Sequence, residues 1–272
     1  MIGVPILAYH PAQEETVDLG LDGARALIAG GSSGLGLAVG TALAGEGARV
    51  ALAARPSDRL DTAVGALPGA IAAPIDLSDP DGPAEAVDRT VEAFGGLDVV
   101  LVNSGGPRPG TFDALDDAGW QDAIESTLHS ALRLIRASLP HLRTSERAAI
   151  LVILSSSARE PIPGLTASNT LRPGLAGLIK SLTAEIVPVR INGLAPGRFT
   201  TQRSIEVEKV TAANTGQTTD EVRAALIARI PLGRLGDPAE LGRLGAFLLS
   251  PAASYLTGAI IPIDGGMVRS LP

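Results

Sequence analysis

A glycine- and serine-rich stretch near the start of the chain offers the first candidate chemistry. It reads Ala29-Gly30-Gly31-Ser32-Ser33-Gly34-Leu35-Gly36 and lies between an apolar run at 26–28 and an apolar segment at 37–43. Such glycines allow a tight turn and let backbone amides approach a pyrophosphate at the N-terminus of the following helix. A glycine motif is weak evidence alone, but a strand before it and a helix after it strengthen the assignment. We therefore predict a dinucleotide site with contacts from Gly30, Ser32, Ser33, Gly34, Leu35 and Gly36.

The end of the second apolar run distinguishes the two common dinucleotides. NAD sites usually place an acidic residue there, whereas an arginine accommodates the 2′-phosphate of NADP. Here the run ends at Ala54 and is followed by Arg55, with no acid. A guanidinium can contact a phosphate with two hydrogen bonds, and a carboxylate would repel it. A solvated arginine at a strand end is the simpler interpretation, but the missing acid favours NADP(H), with Arg59 as a possible second contact.

Short apolar runs alternate with longer helical patterns along most of the chain. The runs lack polar alternation, which is typical of parallel strands that are buried on both faces. Amphipathic segments such as 83–94 and 115–142 are long enough for crossover helices. This alternation predicts an α/β fold with a doubly wound, Rossmann-like parallel sheet flanked by helices, in a single domain over residues 20–272. The predicted strands are 26–28, 50–54, 70–75, 99–102, 150–154, 191–194 and 259–263.

Two regions fall outside this alternation. Residues 1–19 form an N-terminal extension without an assigned structure. Residues 198–232 form a long insertion before the last helix and strand, and the pattern at 204–210 suggests short helices. Insertions of this length in a compact domain are usually functional or disordered. We interpret this one as a lid over a substrate pocket.

The composition excludes several classes of function. The formal net charge of −7 argues against nucleic-acid and anionic-membrane partners, and the absence of cysteine removes disulfides and thiolate metal sites. No group of His, Asp and Glu has metal-ligand spacing, so we predict no metal. The N-terminus lacks a basic region typical of a signal peptide, and no apolar run reaches the length of a membrane span. We expect a cytoplasmic protein that acts on a small molecule.

Several further motifs resemble those of the short-chain dehydrogenase/reductase family, and the resemblance covers roughly residues 20–270. The segments that match are the glycine turn, Asp76-Leu77, Asn103-Ser104-Gly105, Pro196-Gly197 with Thr201, and Asp264-Gly265-Gly266. The resemblance implies a seven-stranded parallel sheet and a homo-oligomer, either a dimer or a tetramer. It also implies that further cofactor contacts come from Asp76, Leu77, Asn103, Gly105, Pro196, Gly197 and Thr201.

The chain departs from this family at the residues that transfer the proton. The family uses Asn, Ser, Tyr and Lys, with the last two in a Tyr-x-x-x-Lys pair on one helix. The corresponding tyrosines and lysines are missing, because Tyr9, Tyr255, Lys180 and Lys209 all lie at unsuitable spacings. Matching the four positions in order assigns the catalytic candidates to Thr127, Ser155 (with Ser156 as the alternative), Ser168 and Arg172.

These replacements cannot perform the usual chemistry unaided. A serine hydroxyl is a poor acid or base unless another group activates it, and an arginine stays protonated and cannot relay a proton. Water or Glu160 would have to supply the proton, although a surface acid beside Arg159 is the simpler interpretation of Glu160. Pro173 disfavours helical geometry at Arg172, so we expect the helix to start or bend here.

Three functions are compatible with this pattern. The leading hypothesis is an NADP(H)-dependent oxidoreductase that acts on a carbonyl, an alcohol or an activated alkene, with Ser155 and Ser168 polarising the oxygen. Arg172 would orient the nicotinamide ribose or an acidic substrate. The alternatives are a non-redox enzyme on the same scaffold (a dehydratase, isomerase, cyclase or lyase) and a catalytically silent NADPH-binding protein, because a fold alone does not decide function.

Overall fold

The computed structural model of the protein describes residues 17–270, so most of the predicted extension at 1–19 lies outside the described residues. Seven strands form one sheet in the order β3-β2-β1-β4-β5-β6-β7, and every pair is parallel. This confirms the predicted doubly wound sheet. The strands are β1 Arg25–Ala29, β2 Arg49–Ala54, β3 Ile71–Pro74, β4 Val99–Val102, β5 Ala149–Ile153, β6 Arg190–Pro196 and β7 Ile260–Ile263.

Helices cover both faces of this sheet, which explains why its strands are apolar without alternation. Every residue of β4 and β5 is buried. One core cluster includes Leu134 and Ile179, and a second includes Leu43 and Leu241. The helices are α1 Gly34–Gly45, α2 Asp58–Gly65, α3 Gly82–Phe94, α4 Asp117–Ile124, α5 Ser130–Leu142, α6 Thr166–Glu185, α7 Gln202–Thr215, α8 Thr219–Ile227 and α9 Pro238–Leu249. None of the helices within residues 17–270 is long and apolar enough to cross a bilayer.

The helix that carries Ser168 and Arg172 differs from the sequence expectation. Helix α6 begins at Thr166 and continues through Pro173, so the predicted helix start at Pro173 is wrong, and the alternative, a bend there, stays a prediction. Asn169 anchors the first turn, because its side chain accepts a hydrogen bond from the Ile162 amide and donates one to the Ile162 carbonyl. The proline removes one backbone hydrogen bond but does not interrupt the helix.

The insertion at 198–232, here called the lid segment, folds as two helices, α7 and α8, which confirms its predicted helical character. Each begins with a capping box, in which the cap side chain and the third helical residue satisfy each other's backbone amides. An ion pair joins the helices, with Nη2 of Arg223 2.8 Å from the buried carboxylate of Glu208. The local sequence and this pair together order the segment.

Candidate active site at the carboxyl ends of the strands

A cavity of about 1470 Å³ opens where the parallel strands end. In open α/β sheets, ligands bind in the crevice outside the carboxyl ends of the strands. The loops that follow β1 to β6 line this cavity on one side, and the lid segment lines it on the other. Most of the residues predicted from the sequence therefore meet in one space.

The glycine turn has the geometry that the sequence predicts. Gly30 and Gly34 have φ angles of +62° and +57°, which favour glycine, and a Cβ on Gly36 would collide with the Gly30 carbonyl. The N-cap residue of α1, Ser33, makes no side-chain capping bond, and the first turn of α1 carries no acidic residue. The unpaired amides at this helix start are therefore available to an anion.

Arg55 follows β2 and lines the cavity together with Arg59 and Asp76. The side chain of Arg55 is exposed and makes no ion pair among residues 17–270. Asp76 Oδ1 accepts hydrogen bonds from the Ser78 hydroxyl (2.7 Å) and amide (2.9 Å). These bonds, with a smaller contribution from the charge of Arg55, lower the pKa of Asp76. The arginine is free to bind a phosphate, whereas one oxygen of the acid is already occupied.

The remaining predicted cofactor residues pack closely around this turn. A Cβ on Gly30 would lie 2.6 Å from Asn103 Nδ2, and one on Gly34 would lie 3.7 Å from Thr201 Cγ2. A Cβ on Gly197 would likewise lie 2.6 Å from the Cβ of Asp264. The landmarks that are far apart in sequence are therefore neighbours in space. All the predicted cofactor residues line the cavity except Gly36, which packs beneath the turn; those that line it are Gly30, Ser32, Ser33, Gly34, Leu35, Arg55, Asp76, Leu77, Asn103, Gly105, Pro196, Gly197 and Thr201.

Ser155 is the catalytic candidate whose hydroxyl position is best suited to a substrate. It follows β5, lines the cavity and caps the short 3-10 turn Ser156–Ala158, where its Oγ accepts a hydrogen bond of 3.1 Å from the Ser157 amide. This bond uses a lone pair of Ser155 and leaves its O–H free to donate. Ser156, the alternative from the sequence, is buried and does not line the cavity.

Two other catalytic candidates, Ser168 and Thr127, are not among the residues that line the cavity. The Ser168 hydroxyl shares a 2.9 Å hydrogen bond with the buried Ser157 hydroxyl. Thr127 is completely buried, and its hydroxyl has no hydrogen-bond partner among the described residues. Glu160 accepts a hydrogen bond from the Arg269 amide and does not line the cavity either. The sequence spacing located these residues correctly on their elements but not the directions of their side chains.

Arg172 lies inside the cavity wall, with only 6% of its surface exposed. Its Nη1 donates a 2.7 Å hydrogen bond to the Ile153 carbonyl, and its Nε has no partner. Burial lowers the pKa of Arg172 to about 10, and the charge of Arg203 acts in the same direction. The guanidinium is still protonated at neutral pH, so a positive charge faces the cavity there.

Sequence reasoning missed the charged residues that the lid segment brings to the cavity. Arg198, Arg203 and Glu208 all line it. The sequence contained a signal for one of them, since Arg203 lies two residues after Thr201, a predicted cofactor contact. What could not be read from the sequence was the direction in which the helix presents them.

Comparisons with known proteins agree with this architecture. A family model described as enoyl-(acyl carrier protein) reductase matches residues 29–268. An uncharacterized oxidoreductase from Mycobacterium tuberculosis is 35% identical over 255 residues, which span 91% of this chain and 93% of that protein. The 3-oxoacyl-(acyl-carrier-protein) reductase of Vibrio cholerae is 30% identical, over 92% of this chain and 99% of its own length.

Solved structures with bound NADPH share the fold. L-sorbose reductase from Gluconobacter frateurii, complexed with NADPH and L-sorbose, superimposes with a TM-score of 0.89 at 30% identity, covering 94% of this chain and 100% of that one. An NADPH-bound short chain oxidoreductase from Pseudomonas aeruginosa, which contains an atypical catalytic center, has a TM-score of 0.83 at 32% identity over 91% and 98% of the two chains.

Proposed function

The chain belongs to the short-chain dehydrogenase/reductase family, and we propose that it is an NADP(H)-dependent oxidoreductase. Its substrate would be a small molecule with a carbonyl, the corresponding alcohol, or an activated alkene. The observation that carries this proposal is the continuous cavity, which extends from the glycine turn and Arg55 to Ser155. A dinucleotide that lies along the strand ends would therefore meet a substrate beside a polarising hydroxyl.

The residues on the nucleotide side fit NADP(H). Close approach of a pyrophosphate needs the space that glycines leave at 30 and 34 and the uncapped amides at the start of α1. A 2′-phosphate needs a cation at the end of β2, and the exposed Arg55 supplies it. The same phosphate would be repelled by an acid at this position, and the sequence has none there. These features support NADP(H) over NAD(H).

On the substrate side, the chain's own side chains would polarise the substrate's oxygen and orient the substrate. Bound NADPH would supply a hydride to the electrophilic carbon. The Ser155 hydroxyl, held by the Ser157 amide, would donate a hydrogen bond to the substrate oxygen as negative charge develops on it. The Ser157 amide fixes the position of the Ser155 oxygen, and the O–H of Ser155 has no acceptor among the described residues, so it is free to turn toward the substrate. Neither Ser168 nor Glu160 lines the cavity, so water in the cavity would deliver the proton.

Binding and turnover test the proposal separately. We expect NADPH to bind more tightly than NADH in calorimetric titrations, and NADPH absorbance to fall when a panel of ketones and aldehydes is added. Ser155→Ala should lower kcat about a hundredfold, the scale for removal of one such donor, and leave the affinity for NADPH unchanged. Ser181→Ala is the matched control, since this exposed hydroxyl on α6 only donates to the Gly177 carbonyl.

A non-redox reaction is the second candidate, and one feature of the site favours it. The position where the family has its proton-transferring tyrosine holds Ser168, which is bonded to Ser157 instead of facing the cavity. Turnover that persists after all nucleotide has been removed would establish this alternative. Tight NADPH binding with no turnover on a broad panel would overturn the oxidoreductase proposal and support a silent nucleotide-binding protein.

The family's usual assembly, a homodimer or homotetramer, is proposed for this chain as well. Light scattering coupled to size-exclusion chromatography would give the number of subunits directly.

A further inference from the structure

Two arginines converge on the loop after β4, on the substrate side of the cavity. If Gly106 had a Cβ, that atom would lie 3.1 Å from Nη2 of Arg172 and 3.5 Å from Nη1 of Arg203. Gly106 has a φ angle of +71°, a conformation that favours glycine, so the loop is built without a side chain between the two guanidiniums. The two groups come from distant elements, α6 and the first turn of α7.

Both guanidiniums keep a terminal nitrogen without a hydrogen-bond partner among the described residues. Arg172 Nη1 donates to the Ile153 carbonyl and Arg203 Nη2 donates to the Pro107 carbonyl, at 2.7 and 3.2 Å. The other terminal nitrogens, Nη2 of Arg172 and Nη1 of Arg203, make no hydrogen bond within residues 17–270 and lie against Gly106. Neither residue takes part in an ion pair there. Two like charges held together, one of them buried, repel each other, and the Glu206 carboxylate, whose charge acts on Arg203, forms no ion pair with it.

We propose that Arg172 and Arg203 bind an oxyanion group of the substrate, so that the enzyme acts on an anionic carbonyl compound rather than a neutral one. The inference rests on the proposed oxidoreductase function and adds the substrate class. Either a carboxylate or a phosphate group would fit this pair, since both accept paired hydrogen bonds from guanidinium groups. An anion between the two free nitrogens would satisfy both donors and remove their mutual repulsion.

The phosphates of NADP(H) already have other candidate partners. The pyrophosphate is expected at the glycine turn, which follows β1, and the 2′-phosphate at Arg55, which follows β2. The arginine pair lies instead beside the loop after β4, and Arg172 bonds to the last residue of β5. Because β4 separates β1 from β5 in the sheet, the pair lies toward Ser155 rather than toward the nucleotide phosphates.

Matched ligand pairs test the substrate class without requiring turnover. The enzyme is saturated with NADP⁺ and titrated by calorimetry with acetoacetate, its methyl ester, dihydroxyacetone phosphate and dihydroxyacetone. Each pair differs in the anionic group alone, and the two pairs distinguish a carboxylate from a phosphate. We expect at least one anion to bind about tenfold to a hundredfold more tightly than its neutral partner. NADPH oxidation with the same compounds gives the corresponding ratio of kcat/KM.

Three variants test whether the effect depends on Arg203. Arg203→Met should abolish the preference for the anion and leave the affinity for NADP⁺ unchanged, whereas Arg203→Lys should retain part of the preference. Arg108→Met is the control, because it removes the same charge from an exposed residue of the same loop that does not line the cavity. Circular dichroism and the melting temperature verify that each variant is folded.

The outcomes separate this inference from the proposed function. Failure of NADPH to bind would overturn the proposed function itself. Equal affinity for the anion and its neutral partner in both ligand pairs, or no binding of either anion at millimolar concentration, would overturn the inference and leave the oxidoreductase intact. Loss of NADP⁺ affinity in Arg203→Met, with an unchanged preference between the anion and its neutral partner, would also overturn it and assign Arg203 to the cofactor.

Discussion

The two edges of the sheet use arginine in opposite ways. At the edge where strands begin, four arginines have partners. Arg25 bonds to both oxygens of Asp98, Arg49 to the carbonyls that end α3, and Arg147 to carbonyls at 20 and 22. Arg190 donates to four carbonyls around the end of α9. Here the planar, five-donor guanidinium fastens loops and helix ends to the sheet.

At the edge where strands end, the arginines of the cavity keep free donors. Arg55 and Arg198 make no side-chain hydrogen bond among the described residues, and Arg172 and Arg203 make one each. Both edges belong to the same parallel sheet, so the topology of the sheet alone does not account for the difference. Satisfied cations contribute to stability, whereas unsatisfied cations in a cavity are available to ligands.

The largest expected effect is on stability, at the edge where strands begin. Asp98 is buried, and besides Arg25 it accepts a 2.6 Å hydrogen bond from the Ser145 hydroxyl. Asp98→Asn should lower the free energy of unfolding by about 3 kcal/mol, because a buried arginine–carboxylate pair loses one charge. Urea denaturation measures this loss in the free energy of unfolding. Arg172→Met is the control at the opposite edge and should cost less, about 1 kcal/mol, because removal of a buried charge offsets part of the loss of its hydrogen bond to the Ile153 carbonyl. An equal loss in both variants would contradict the difference between the two edges.

Arg55 tests the cavity edge through the cofactor. Arg55→Ala should weaken NADPH binding by roughly 1.5–3 kcal/mol, the scale for hydrogen bonds to charged groups, and hardly change NADH binding. Fluorescence titration with both nucleotides measures the difference. Equal losses for the two cofactors would mean that Arg55 contacts a group that NADPH and NADH have in common. No loss for either would mean that Arg55 points into solvent and does not contact the cofactor.

Acid titration tests how much the ionised Asp98 contributes to stability at the edge where strands begin. Burial alone would raise the pKa of this carboxyl, but hydrogen bonds from Arg25 and Ser145 outweigh it and lower the pKa to about 2. The carboxylate therefore stabilises the fold fully above pH 4, and this stabilisation, about 2 kcal/mol, disappears as the pH falls through 2. Unfolding free energies of wild type and Asp98→Asn should accordingly converge in acid. A constant gap between pH 5 and pH 2 would contradict the ion pair.

The smallest expected effect concerns the unpaired hydroxyl of Thr127. Replacing it with a methyl group of the same shape, in Thr127→Val, should raise the free energy of unfolding by about 1 kcal/mol, since a buried donor without a partner is removed. Thermal and urea unfolding measure the change. A lower stability in this variant would show that the hydroxyl has a partner in solution.

Much of the fold and part of the site could be predicted from the sequence. Apolar runs without alternation identified all seven strands to within a few residues, because burial on both faces leaves no place for polar side chains. The glycines at 30, 34 and 36 marked the turn, since positive φ angles and close backbone approach exclude other residues. Strands and tight turns depend on backbone conformation and on residues close in the chain, so the local sequence is enough to predict them.

The tertiary structure decided which side chains meet. Spacing paired Ser155 with Ser168, yet Ser168 bonds to Ser157, because the 3-10 turn at Ser156–Ala158 rotates the third serine toward α6. Nothing local to Arg172 or Arg203 indicates that two helices bring them to the same glycine. Whether an arginine is a structural fastener or a free donor depends on the carbonyls and carboxylates that long-range packing places around it. The sequence by itself determined the sheet and the nucleotide turn, and only the folded arrangement separated the satisfied arginines from those that face the cavity.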